Sequence, residues 1–187
     1  MKSFICLSML FLAACGPNGK IIVDTKTPEI HQARPTIKLE DDMVNFLVAQ
    51  FYADAEEKHA ITTDKFTSIT FIDAYEEGSN AVGRCNEWEY SDGRLYKREM
   101  TILKSYWETA SDFTKRSLIY HELGHCALGL GHTPENEKQI MNPYVLGDLY
   151  AEANWEPLVD FLFSSQPSPN GLSLMQEPCE YGDHHGI

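Results

Sequence analysis

No apolar run in this 187-residue chain is long enough to cross a bilayer as a helix. It has no CxxC pair, so neither a thiolate zinc site nor a thioredoxin-like role finds support. Positive charge is scarce: 15 Lys and Arg stand against 28 Asp and Glu, for a formal net charge of −13. With no basic cluster to offset that charge, nucleic acid is excluded as a partner. Internal repeats are also absent, and the length suits one domain with a real core.

The N-terminus reads "MKSFICLSMLFLAACG", with a lysine at position 2, an apolar stretch from Phe4 to Leu12 and small residues before Cys15. This is the pattern of an export signal. Its "LAAC", Leu12 to Cys15, resembles a bacterial lipobox, which implies cleavage before Cys15 and lipid on that residue. Residues 1–14 are therefore expected to be a lipoprotein signal peptide. Gly16 in place of Asp after the cysteine favours the outer membrane of the cell envelope. Residues 15–40 are rich in Pro, Gly, Thr and charge and read as a lipid-anchored tether, whose roughly 25 residues at about 3.3 Å each reach about 80 Å when fully extended. Three cysteines then remain, Cys85, Cys126 and Cys179. In an oxidising compartment two of them can pair, and Cys85 with Cys126 is preferred because Cys179 lies in the tail.

A folded domain is expected over residues 41–164. "DDMVNFLVAQFYADAEEKHA" puts Met43, Phe46, Leu47, Phe51 and Ala55 near helical spacing behind an Asp41/Asp42 cap. "FTSITFIDAY", Phe66 to Tyr75, is a β-rich core strand with Ile69, Phe71 and Ile72. A short strand follows near Ala81 to Cys85, then a turn at Ser91-Asp92-Gly93 and a strand from Leu95 to Leu103. A helix begins at Ser111 or Asp112 and stops at Gly129, and "NWEPLVDFLFS" gives a last short helix with Pro157 in its first turn. Residues 165–187, rich in Pro, Ser and Gly, read as an irregular tail. The fold class is thus α/β (α+β), with strands between an N-terminal helix and a second long helix, and a short C-terminal helix after them.

The chemistry concentrates in "YHELGHCALGLGHTPENEKQIMNPY", Tyr120 to Tyr144. Residues four apart on a helix project about 40° from each other, so His121 and His125 can reach one ion. Glu122, turned about 100° from the first histidine, can touch a water beside that ion without binding it, as a general base must. Ile119, Leu123 and Cys126 fall on the opposite face and pack inward. Gly129 and Gly131 let the chain turn sharply, returning His132 as a third ligand. Three protein ligands leave a fourth position open, the mark of a catalytic zinc site. With 7 His and 17 Glu, chance alone gives an HExxH in about 2% of such chains and the third histidine lowers this to roughly 0.1%.

The stretch resembles the signature of the metzincin zinc metalloproteases, HExxHxxGxxH followed by a methionine turn, most nearly their matrixin-like and bacterial lipoprotein members. By that resemblance His121, His125 and His132 would bind one Zn²⁺, Glu122 would be the catalytic base, and Met141 in "IMNPY" would support the site from beneath. Tyr144 would line the cleft or bond the transition state, and Val145 to Trp155 would form the specificity wall. The spacing departs from the family's, for three residues, "CAL", stand between His125 and the glycine where the family has two. One extra helical residue rotates the downstream chain by about 100° and advances it 1.5 Å, so a glutamate such as Glu152 is the rival third ligand. "GRCN" around Cys85 matches the inhibitory cysteine segment of some matrixins poorly, and His184 and His185 suggest a metal-binding tail although such pairs are usually solvated. The resemblance implies a metzincin-like fold, a twisted mixed sheet with an N-terminal helix, an active-site helix and a short C-terminal helix, and a zinc endopeptidase acting on peptide or protein substrates; the chain is expected to be a monomer. The alternative is a non-catalytic zinc-binding or surface-interaction lipoprotein.

Overall fold

The computed structural model describes residues 20–23, 41–63, 65–165 and 179–180. The expected signal peptide, Cys15 and His184–His185 lie outside them. In chain order the elements are β1 (Lys20–Val23), α1 (Asp42–Glu57), β2 (Phe66–Ile72), β3 (Ala81–Tyr90), β4 (Leu95–Leu103), α2 (Lys104–Thr109), α3 (Asp112–Cys126), α4 (Asp148–Ala153), α5 (Trp155–Ser164) and β5 (Cys179–Glu180). The sheet runs β1-β3-β4-β2, with β5 also on β3. It is mixed: β3 and β4 are antiparallel, β2 is parallel to β4, β1 is parallel to β3, and β5 is antiparallel to β3. This is the α+β plan expected of the sequence, to which the segments on either side of the domain each add a short strand.

The two longest helices, α1 and α3, start on the caps their sequence supplies. Asp41 Oδ1 accepts from the Met43 and Val44 N–H groups at 2.9 and 3.1 Å, satisfying two donors that the first turn leaves free. Its Oδ2 accepts from Trp107 Nε1 at 2.8 Å, so one carboxylate starts α1 and docks α2. Ser111 Oγ accepts from the Thr114 N–H at 3.1 Å and starts α3. The inward face of α1 carries Val44, Leu47, Phe51 and Ala55. Phe46, expected inside, is 61% exposed, because it sits one position off that stripe.

β3 extends to Tyr90, five residues past the expected strand end at Cys85, since pairing with β4 continues through Glu87, Trp88 and Glu89. β2 ends at Ile72, where Phe71 and Ile72 are only half-buried, and the core positions of this strand are Phe66 and Ile69. α2 and α4 have no counterpart among the expected elements. Each is six residues long and buries one side chain, Trp107 or Ala151, too little periodicity to recognise.

α3 is the central element, with every residue from Ser117 to Cys126 buried. It lies between the sheet on one side and α1 and α5 on the other. Tyr120, next to the histidine motif, is enclosed by Phe51 and Trp155 at ring-centroid distances of 5.3 and 4.9 Å. Its hydroxyl donates to Asp54 Oδ2 at 2.5 Å, and burial, followed by this bond, pushes the phenol's pKa far above its usual value. At the other end of the helix a disulfide joins Cys126 to Cys85 on β3, with Cα atoms 5.5 Å apart.

That bond spans 41 residues, and in the loop-entropy picture such a cross-link contributes about 4 kcal/mol. Denaturant unfolding with and without a dithiol reductant should show a loss of about 2–4 kcal/mol on reduction.

Candidate metal centre

The three histidines of the motif meet. Nε2 of His121 lies 3.0 Å from Nε2 of His125 and 3.2 Å from Nε2 of His132, and the last two are 3.1 Å apart. Among the described residues these three form the group able to hold a metal ion. The rival third ligand, Glu152, is exposed on α4 and outside the group.

The backbone decides which way the rings present themselves. His121 Nδ1 is 2.6 Å from the Ile140 carbonyl, and His125 Nδ1 is 2.6 Å from the Leu130 carbonyl. A carbonyl can only accept, so each Nδ1 carries the hydrogen and each Nε2 offers a lone pair. Lone pairs facing one another at about 3 Å repel, and a shared cation removes that repulsion. Four-coordinate zinc at about 2.0–2.1 Å from nitrogen places its ligands about 3.3 Å apart, so the triangle fits with little adjustment. Burial favours the ligating, neutral form. His121 is pushed down to about 3 by burial and then by His132, against the opposing bond to Ile140. His132 is pushed down to about 4 by burial, and His125 is held well below its usual value by burial and then by its two neighbours.

How the extra residue of the motif is absorbed is visible in the hydrogen bonds after α3. The Leu128 N–H bonds back five residues to the Leu123 carbonyl at 3.2 Å, and the Leu130 N–H reaches six back to Gly124 at 2.9 Å. Regular α-helix bonds reach four. The chain therefore leaves the helix in a widened turn. Gly129 takes φ +70°, the left-handed conformation that glycine adopts without steric cost. The extra residue is spent in the turn, not as a further helical step, and His132 still returns to the other two.

Glu122 is fully buried, and neither carboxylate oxygen has a hydrogen-bond partner among the described residues. Burial pushes its pKa up to about 8, against the opposing charge of Arg84. Its carboxylate packs against Gly83 of β3, where a Cβ would collide with Glu122 Oε1 and approach Leu118 Cδ1 to 2.8 Å. Glycine inside a strand often marks such a close approach, so Gly83 is the one signal of this contact that the sequence carries.

Three further side chains support the site: Met141, which the motif in the sequence points to, and Asn142 and Arg98, which have no motif of their own. Met141 packs its sulfur directly against Gly124, between the two helical histidines, where any side chain would strike it. Asn142, buried, donates from Nδ2 to the Glu135 and Glu137 carbonyls at 2.9 and 2.7 Å and accepts the Tyr144 N–H at 2.9 Å. It thereby holds the loop whose Ile140 carbonyl orients His121. Arg98 pairs with Glu87 at 2.6 Å and reaches the Cys126 carbonyl at 3.4 Å, placing a cation at the C-terminal end of α3. Tyr144 is half-buried beyond the methionine.

Gly124→Ala should destabilise the fold by about 1–3 kcal/mol by overpacking, despite alanine's better helix propensity. Gly147→Ala, whose Cβ would meet nothing within 4 Å, is the control, and thermal melts of both variants test the contrast.

Residues 39–143, more than half of the chain, match the family model described as "Putative phage metallopeptidase". No curated protein and no solved structure matches the chain. The matched region runs from the start of α1 through the histidine triad to the loop that carries Met141, and the chain belongs to this metallopeptidase family.

Proposed function

We propose that the protein is a zinc-dependent endopeptidase with Glu122 as its general base. The observation that carries this is the pairing of three convergent imidazole nitrogens, two of them of fixed tautomer, with a buried carboxylate on α3 that no group among the described residues satisfies. A pure metal binder has no need of that carboxylate, and burying it without a partner is costly.

His121, His125 and His132 would hold the ion through Nε2. Zinc bound there supplies a Lewis acid that polarises the scissile carbonyl and acidifies the attacking water. Glu122 accepts the proton as the water oxygen bonds to the carbonyl carbon. It passes that proton to the amine nitrogen as the C–N bond breaks. The low polarity that raises its pKa suits a group that must both take and give a proton near neutral pH. Met141 beneath Gly124 and the widened turn before His132 support a metzincin-like site with one residue added. In the same reading the N-terminal signal and Cys15 keep the domain at the cell envelope, where its substrates would be peptides or proteins.

Replacing Glu122 by Gln should lower kcat/KM on a mixed peptide library by about 10²–10⁴-fold while bound zinc stays at one equivalent. Undiminished cleavage would reject the base, and one equivalent of zinc with no cleavage by the wild type would favour the non-catalytic alternative. His132→Ala should cut zinc affinity by at least about tenfold, read by competition with a chromogenic chelator. Unchanged affinity would reject the third ligand.

A further inference from the structure

The Glu122 carboxylate packs against Gly83, and Gly83 lies at a sheet edge already in use. One side of β3 is paired with β4 from Gly83 to Glu89. The other side is shared between two short strands from opposite ends of the chain. β1 runs parallel to Glu87–Tyr90, away from Glu122. β5 runs antiparallel at the near end, with Cys179 opposite Gly83 and Glu180 opposite Ala81. A free strand edge offers a row of N–H and C=O groups that any extended peptide can pair with.

We propose that β5 is a built-in competitor: an extended peptide pairs with β3 at Ala81–Gly83 beside Glu122, and Cys179–Glu180 of the same chain must vacate that edge first. The proposal rests on the peptidase reading for its consequence, though not for the pairing itself. Three observations carry it. The pairing sits opposite Gly83, against which the Glu122 carboxylate packs. It is antiparallel and only two residues long, with its register broken between Ala81 and Gly83, so it makes few ladder bonds and is easily exchanged. The longer β1 covers the far part of the same edge, Glu87–Tyr90, and leaves the end beside Glu122 to β5.

The test uses the full chain carrying Cys179→Pro and Glu180→Pro together, since proline cannot donate to a ladder, and Glu180→Pro alone as a second variant. The probe is a fluorescein-labelled synthetic peptide with the sequence of residues 174–185. If the edge is free in about a tenth of wild-type molecules, releasing it should tighten probe binding about tenfold, with the KM for cleaved library peptides lowered to match and kcat unchanged. Equal probe affinity in wild type and both variants would overturn the proposal. Tighter probe binding by the variants with no cleavage by any of the proteins would leave the competition standing and reject the peptidase reading.

Discussion

The bond from His121 Nδ1–H to the Ile140 carbonyl is the constraint around which the rest of the domain is arranged. It joins the central helix to a loop nineteen residues further along and fixes the direction of a lone pair that a metal would need. The loop must therefore be as rigid as the helix. Asn142 meets that requirement with side-chain bonds to two carbonyls and one amide, and the Thr133 N–H adds a bond across the loop to the Met141 carbonyl at 2.8 Å. The helix in turn is fixed at its C-terminal end by the disulfide to β3 and the Arg98–Glu87 pair, and near its middle by Tyr120 between α1 and α5. Positioning groups far from the histidines thus bear on their separation.

A fully buried helix would ordinarily be apolar all round, yet α3 carries two histidines and a glutamate inside. The imidazoles meet this by giving their Nδ1 hydrogens to carbonyls and staying neutral. The carboxylate has no such partner among the described residues, and glycine at position 83 is what leaves room for it. Stability and chemistry pull in opposite directions at this residue, and the apolar packing of Phe51, Trp155, Leu158 and Leu162 around the helix offsets the strain of keeping it there.

Much of this was legible in the sequence because it is local. The Asp41 and Ser111 caps, the four-residue histidine spacing and the stop at Gly129 each follow from neighbours within one or two helical turns. What escaped notice depends on pairs far apart in the chain. Gly83 opposite Glu122, Gly124 opposite Met141 and Glu87 beside Arg98 have no signature in spacing alone. The additional residue after His125 shows a different limit. Counting 100° per residue assumes that the helix continues, whereas the hydrogen bonds widen before the turn and absorb the residue. Phe46 illustrates the same point on α1, where one position off the stripe separates a core side chain from an exposed one.

The contact between Met141 and Gly124 also bears on how the protein ages. A thioether is readily oxidised, and the resulting sulfoxide adds an oxygen to a sulfur atom already pressed against backbone. The folded chain shields that sulfur, leaving Met141 4% exposed. Oxidants therefore reach it chiefly in molecules that have opened or not yet folded, and a chain oxidised there can no longer close the loop beneath its histidines. The damage would be recorded as a failure to refold and not as a gradual loss of performance in molecules already folded.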